Sequence, residues 1–157
     1  MAVLKIIKFG DPILRKVSRP IEEITPRICT LIDDMIDTMR AAGGCGLAAV
    51  QVGVLRRVVV IEIEDGKVYE LINPKIIAYA GEQTESEGCL SNPGEYGITK
   101  RPKAVTVRAM DRHGKEYELS GTDLLARAIC HEVDHLDGKL YTDVQIRPLT
   151  KEELRGK

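Results

Sequence analysis

The sequence predicts an α+β fold, with antiparallel β-sheets packed around a central helix, and three observations carry that expectation. Turn signals that suit hairpins, Asp65-Gly66 and Asp111-Arg112-His113-Gly114, fall in the middle of the chain. Helical periodicity appears only toward the two ends. Strand and helix do not alternate along the chain, as a parallel doubly wound sheet requires. At 157 residues without an internal repeat or linker, residues 1–157 are expected to form one domain with one site.

The elements follow in order. Gly10-Asp11-Pro12 and Arg19-Pro20 read as extended chain and turns. Thr25-Pro26 is an N-cap with proline at the first helical position; Ile28, Leu31, Ile32, Met35 and Met39 follow at helical spacing until Gly43-Gly44. Residues 57–63 (RVVVIEI) are β-branched and form a strand, with 68–72 as the hairpin partner beyond Asp65-Gly66. Further strands are expected at 75–80, 104–110 and 115–119. From Thr122 the period changes, and Leu124, Leu125, Ala128, Ile129, His135 and Leu136 suit a second helix ended by Gly138. Thr150 and Glu153 form a capping-box pair for a short last helix.

Composition narrows the function classes. Hydrophobic residues make up 43% and charged residues 30%, too apolar for disorder. With 23 Lys and Arg against 24 Asp and Glu, the net charge of −1 supplies no field for DNA or an anionic membrane. At 4% aromatics there is no base-stacking platform either. No apolar run reaches the ~18 residues of a membrane span. Lys5 and Lys8 interrupt the apolar start, which breaks a signal-peptide core, so a cytoplasmic location is expected. The cysteines (Cys29, Cys45, Cys89, Cys130) contain no C-x-x-C pair and are expected to stay reduced, so any metal site must recruit histidines.

On the second expected helix lies His131-Glu132-Val133-Asp134-His135, an H-E-x-x-H. Residues four apart stack on one helical face, so two imidazoles reach one cation while Glu132 sits beside its open position. Such an ion lowers the pKa of bound water from ~15.7 to ~7, and the carboxylate takes the proton. The plainer reading is two solvated histidines. Two of the chain's three histidines fall inside these five residues, which favours a metal site.

H-E-x-x-H alone suggests a zinc protease, so the third ligand decides the class. His113 lies upstream on an expected turn, and Glu152 and Glu153 in the tail helix are poorly placed to ligate. Glu87-Gly88-Cys89-Leu90-Ser91 offers a cysteine at the end of an expected strand. A Cys89 thiolate completes a Cys-His-His shell with one position left for water, although taken alone Cys89 reads as a buried small hydrophobe. A third segment, Gly44-Cys45-Gly46-Leu47-Ala48-Ala49-Val50-Gln51, is glycine-rich and ends on an amide. Its glycines let backbone approach a ligand closely, and Gln51 is suited to donate an N–H to a developing oxyanion. Alone it reads equally as a tight turn into a buried strand.

In this order, G-x-G-L-A-A-x-Q at 44–51, E-G-C-L-S at 87–91 and H-E-x-D-H at 131–135 resemble the three motifs of the peptide deformylases. Asp11-Pro12-Ile13-Leu14-Arg15, Arg101-Pro102 and Leu124-Leu125-Ala126-Arg127 extend the resemblance over essentially the whole chain. It implies a metal-dependent hydrolase that removes the N-terminal formyl group from formyl-methionine of newly synthesised polypeptides and releases formate. Carried over residue by residue, it implies that Cys89, His131 and His135 hold one divalent metal ion, Fe(II) in the cell, with Zn, Ni or Co forms also obtained. Glu132 is implied to take a proton from water and deliver it to the leaving amine, while Gln51 and the Leu90 backbone N–H hold the oxyanion. Gly44, Cys45, Gly46 and Gly88 are the implied substrate-binding positions, along which the peptide runs as an added strand. Methionine's thioether is implied to fill an apolar pocket near Leu124, Arg127 and Ala128, with Arg127 lending only its aliphatic stem. The implied partners are formyl-methionyl nascent peptides. The ribosome exit region is a candidate partner, although Lys151, Arg155 and Lys157 are too few to argue for contact with ribosomal RNA.

The chain departs from the family pattern at Cys130, where many members carry glutamine, at Asn92, and in the less glycine-rich Gly121-Thr122-Asp123. Cys130 and Cys29 are expected to be core thiols. Glu87 and Asp134 are expected either to support ligating groups or to form surface ion pairs. Two other functions compete. A zinc endopeptidase gives Cys89 and Gln51 no role. A deformylase-like module kept only for metal or ribosome binding is expected to have lost Glu132 or a ligand, and all are intact.

Overall fold

In the computed structural model, which describes residues 2–156, two antiparallel sheets lie on either side of a helix. Met1, and Lys157 of the basic tail, fall outside the described residues. The order along the chain is α1 (Pro26–Ala41), β1 (Gly46–Ala48), β2 (Val58–Glu62), β3 (Val68–Ala80), β4 (Gln83–Cys89), β5 (Asn92–Arg101), β6 (Ala104–Met110), β7 (Glu116–Thr122), α2 (Asp123–Leu136), α3 (Tyr141–Val144), β8 (Gln145–Pro148) and α4 (Lys151–Arg155). One sheet has five strands in the order β1-β2-β3-β6-β7, and the other has three in the order β4-β5-β8. β1 and β4 are therefore both edge strands.

The run of β-branched residues in β2 has a simple cause, since both of its faces are buried. Val58 and Val60 join Ile32, Met35 and Met39 of α1, whereas Val59 and Ile61 join Leu71, Val107, Ile129 and Leu136 on the α2 side. α1 begins as its sequence requires: Thr25 Oγ1 accepts from the N–H of Ile28 at 3.4 Å, and Pro26 takes the first position. α2 buries nine of its 14 residues, among them His131, Glu132 and His135. Buried charges on a buried helix must be paired or serve a ligand.

Several expectations are corrected. The strands expected at 68–72 and 75–80 are one element, β3. Asn73-Pro74 reads as a break, yet Asn73 takes φ +52° and its amide side chain bonds the N–H and C=O of Ile21 at 2.8 Å each. The register shifts between Ile72 and Lys75, an irregularity that tolerates a proline without an N–H. β5, α3 and β8 were not anticipated; Pro93, Gly94 and Gly97 mask β5. Cys130 is buried as expected, but Cys29 is half-buried, one turn before Ile32, at the margin of the core. Among the described residues no helix is long and apolar enough to cross a membrane.

Candidate metal centre

Three side chains from two elements converge on one point. Cys89 ends β4, while His131 and His135 lie one turn apart on α2. Cys89 Sγ stands 3.3 Å from His135 Nε2, which stands 3.2 Å from His131 Nε2, and all three ligand atoms lie within 4.8 Å of one another. His113 is far from this group in kind: it sits exposed on the β6–β7 turn, where its N–H donates to Asp111 Oδ1 at 2.9 Å.

A buried network fixes the rings. Glu87 Oε2 lies 2.5 Å from His131 Nδ1. Glu87 also accepts from Thr99 Oγ1 at 2.8 Å and from Arg101 Nε and Nη2 at 3.1 and 2.7 Å. Arg101 Nη1 donates to Asp134 Oδ2 at 2.7 Å, so one guanidinium holds both acidic residues beside the histidines. Burial works against ionisation of Glu87, but the hydrogen bonds from His131 and Arg101 outweigh it and bring its carboxyl down to about 2. An ionised Glu87 demands a proton on Nδ1, which leaves the Nε2 lone pair of His131 facing His135 and Cys89.

The donor set fits a divalent cation. Nitrogen and sulfur ligands of a tetrahedral metal stand roughly 3.3–3.7 Å apart, given bonds of about 2.0–2.3 Å, and the separations of 3.3 and 3.2 Å about His135 are close to that. Despite burial, the nearby Glu132, Cys89 and Glu87 draw His131 toward its protonated form, the behaviour of a site that wants positive charge. Burial pushes His135 toward the neutral form that ligation requires, and its Nδ1 has no partner. Glu132 Oε1 is likewise buried without a partner, and burial raises the Glu132 carboxyl to about 7.

The glycine-rich segment forms the opposite wall. Gly46 lies so close to α2 that a Cβ there would meet Glu132 Oε2 at 2.6 Å, so only glycine fits without displacing the carboxylate. Gly44 makes the same close approach to Leu90, whose Cγ would lie 2.9 Å from an added Cβ. Gln51 follows in a short 3₁₀ turn, and its Oε1 accepts from the Ala48 N–H at 2.9 Å. That bond fixes the amide orientation and aims Nε2 at Cys89 Sγ, 3.5 Å away, and at Ser91 Oγ, 3.1 Å away. Leu90 follows Cys89 in the β4–β5 turn, and its N–H makes no hydrogen bond among the described residues. Cys45 gives its carbonyl to the Glu62 N–H at 2.8 Å, so by antiparallel alternation Gly46 turns its own N–H and C=O to the free edge of β1.

These walls enclose a cleft of about 740 Å³ that includes Gly44, Cys45, Gly46, Gly88, Cys89 and Glu132, with Leu124, Arg127 and Ala128 along its α2 side. The expected site residues thus all line this cleft, apart from His135, which joins the group from behind the cleft surface against Cys89 and His131. Sequence reasoning missed Thr99 and Ser91 as hydrogen-bond partners within the site, and Arg101 as the clamp on Glu87. It also missed Tyr141, whose ring stacks on His131 with centroids 6.1 Å apart and whose hydroxyl accepts from Asn92 Nδ2 at 2.9 Å. Thr99 and Arg101 alternate along β5 and pair with Glu85 and Gln83 of β4, a register that no local pattern announces.

Comparison with known proteins agrees with this geometry. Residues 3–152 match the family model described as polypeptide deformylase. A peptide deformylase from Caldanaerobacter subterraneus subsp. tengcongensis is 54% identical over 156 residues, covering 99% of this chain and 98% of that protein. One from Lachnoclostridium phytofermentans is 59% identical over 145 residues, 91% of this chain and 89% of that protein. The crystal structure of a Legionella pneumophila peptide deformylase superposes with a TM-score of 0.89 at 42% identity, covering 99% of this chain and 90% of the other. A Synechococcus elongatus peptide deformylase solved in complex with actinonin gives 0.87 at 38% identity, over 98% and 82% of the two chains. With its three motifs gathered into one cleft and its whole length matched, the chain belongs to the polypeptide deformylase family, metal-dependent hydrolases that remove the N-terminal formyl group from nascent polypeptides.

Proposed function

We propose that Cys89, His131 and His135 hold the divalent ion of this deformylase, Fe(II) in the cell, and that Glu132, Gln51 and the Leu90 amide carry the chemistry around it. The observation that carries this reading is the meeting of three lone pairs beside a buried carboxylate oxygen that has no partner. A bound divalent cation supplies Lewis acidity, lowering the pKa of water from ~15.7 to ~7 and polarising a carbonyl. Glu132, whose buried Oε1 has no other partner, accepts the water proton and returns it to the leaving methionine amine. Gln51 Nε2, already aimed by Ala48, and the unspent Leu90 N–H donate to the oxyanion as it develops.

The peptide backbone adds as a strand beside the free edge of β1 at Gly46 and along β4 at Gly88, with the methionine side chain against Leu124 and Ala128. Gly44 keeps Leu90 close, and Cys45 lines the rim. Formyl carries only hydrogen on its carbonyl carbon, so a tight wall around the ion would admit it and exclude acetyl by sterics. The proposed setting is the cytoplasm near the ribosome exit region, because the substrate is the N-terminus of a chain still being made.

The test is formate release from a formyl-Met tripeptide by protein purified without oxygen and loaded with Fe(II). Release is expected, with none from the acetylated peptide; no release from folded, metal-loaded protein would overturn the reading. Cys89→Ala separates it from an H-E-x-x-H endopeptidase chemistry. Metal and activity are expected to be lost, and full retention of both would remove Cys89 from its role.

A further inference from the structure

Asn92 departs from the family pattern, and the proposed reaction gives it no task. It stands at the exit of the β4–β5 turn, where the ladder between the two strands is interrupted. Gly88 pairs with Tyr96, and the next residue, Cys89, pairs with Asn92. Pro93, Gly94 and Glu95 therefore lie between two consecutive rungs, with no ladder partner in β4 or β8 among the described residues. A bulge of this size removes the rungs that would otherwise hold the turn. One side chain spans the gap. Tyr141, buried at the start of α3, accepts from Asn92 Nδ2 at 2.9 Å and donates to the Glu95 carbonyl at 3.4 Å, so its hydroxyl ties the two shoulders of the bulge. A phenol has one hydrogen to give; with that hydrogen on Glu95, Asn92 is the donor and both groups are fixed in orientation. The ring is held as well, between Phe9 at 5.8 Å and His131 at 6.1 Å, centroid to centroid.

The turn closed in this way touches both proposed oxyanion donors. Leu90 and Ser91 fill it; the Leu90 N–H is unspent, and Ser91 Oγ accepts from Gln51 Nε2 at 3.1 Å. Such donors stabilise a developing charge only when they are already aimed at the place where it appears. We infer that Asn92 and Tyr141 are positioning residues, which clasp the β5 bulge and thereby hold the Leu90 amide and Gln51 in their donating positions. Tyr141 does not line the cleft, so it acts through the turn and not on the peptide. Loss of either partner leaves the other half of the clasp with a polar group unsatisfied beside the site. This inference rests on the roles proposed above for Leu90 and Gln51.

Y141F removes the hydroxyl and keeps the ring against His131, and N92A removes the amide at the other end. On the Fe(II)-loaded enzyme with formyl-Met-Ala-Ala amide, each is expected to lower kcat about tenfold, short of the roughly 10²–10³-fold loss of a whole donor, while KM moves by less than about twofold. The double variant is expected to lose no more than the worse single one, because the two groups act as one clasp. Metal affinity, read by chelator competition, is expected to stay unchanged, and amide exchange over residues 90–95 to quicken about tenfold. Five results overturn the inference: parent-like kcat in both variants; a loss carried by KM alone, which makes Asn92 a peptide contact; metal lost in step with activity, which makes Tyr141 a prop for His131; single losses that multiply in the double variant; or unchanged exchange. N92A, at a half-buried position, carries the test alone where Y141F fails to fold. Gln51→Ala tests the oxyanion reading by itself. Parent-like turnover there removes the donor role and this inference with it, whereas a large loss there beside parent-like Y141F and N92A overturns the inference alone.

Discussion

Glu87 lies 2.5 Å from His131 Nδ1 and is held in turn by Arg101 and Thr99, so the state of one imidazole is set by a carboxylate outside the Cys89, His131 and His135 group. Glu87→Gln is expected to weaken metal affinity by about 10–100-fold, the usual cost of losing such a partner, read by competition with a chromophoric chelator. The pH dependence has a definite sign. The Glu87 carboxyl is at about 2 in the folded chain against ~4.3 unfolded, so its contribution is full above the unfolded value and is lost as pH falls through that window. Protons compete with a metal ion for its ligand atoms, so in acid metal content and activity are expected to fall together; activity lost with metal retained would refute the link. Glu132 runs the other way. Its carboxyl is raised to about 7, so in the metal-free protein it costs stability as pH rises above ~4.3. Glu132→Gln is therefore expected to keep metal, lose turnover by about 10²–10⁴-fold, and, without metal, melt at a higher temperature than the parent above pH ~7, with the gap closing toward pH ~4.

Among the elements, α2 and β2 were readable from sequence because each carries a pattern that burial alone explains. α2 keeps a helical period between Thr122 and Gly138, and β2 is β-branched throughout because α1 and α2 cover its two faces. β5 was not readable. Pro93, Gly94 and Gly97 lower its strand propensity, and what places it is pairing with β4 and β8, which are distant in sequence or equally weak in pattern. That loss hid the clamp on Glu87, since Thr99 and Arg101 can be put beside it only once the register is known. The grouping of Cys89 with the two histidines was readable because His131 and His135 share one helical turn and Cys89 lies in a motif. β1 carries an element-scale prediction. Gly46→Ala puts a methyl where Glu132 Oε2 now lies, so turnover is expected to fall on the order of 100-fold with metal content unchanged, measured by single-turnover kinetics beside metal analysis.

At the scale of the molecule, α2 contacts both sheets, and the proposed ligands draw the sheets together. Cys89 comes from the three-stranded sheet, and the histidines come from the helix that backs the five-stranded one. A peptide seated between the edges of β1 and β4 would add a second tie. Hydrogen exchange with an uncleavable formyl-peptide mimic is expected to slow at Gly46 and along β4, while the far edges β7 and β8 keep their rates; uniform slowing would contradict binding by strand addition. β1 is only three residues long, between a glycine-rich turn and a 3₁₀ turn. Each main-chain hydrogen bond contributes only about 1 kcal/mol net, so so short an edge grips a chain weakly. Brevity then serves turnover. An enzyme that must meet every new chain needs a short residence time, and a strand too short to hold its product is also too short to template pairing with a second copy of itself.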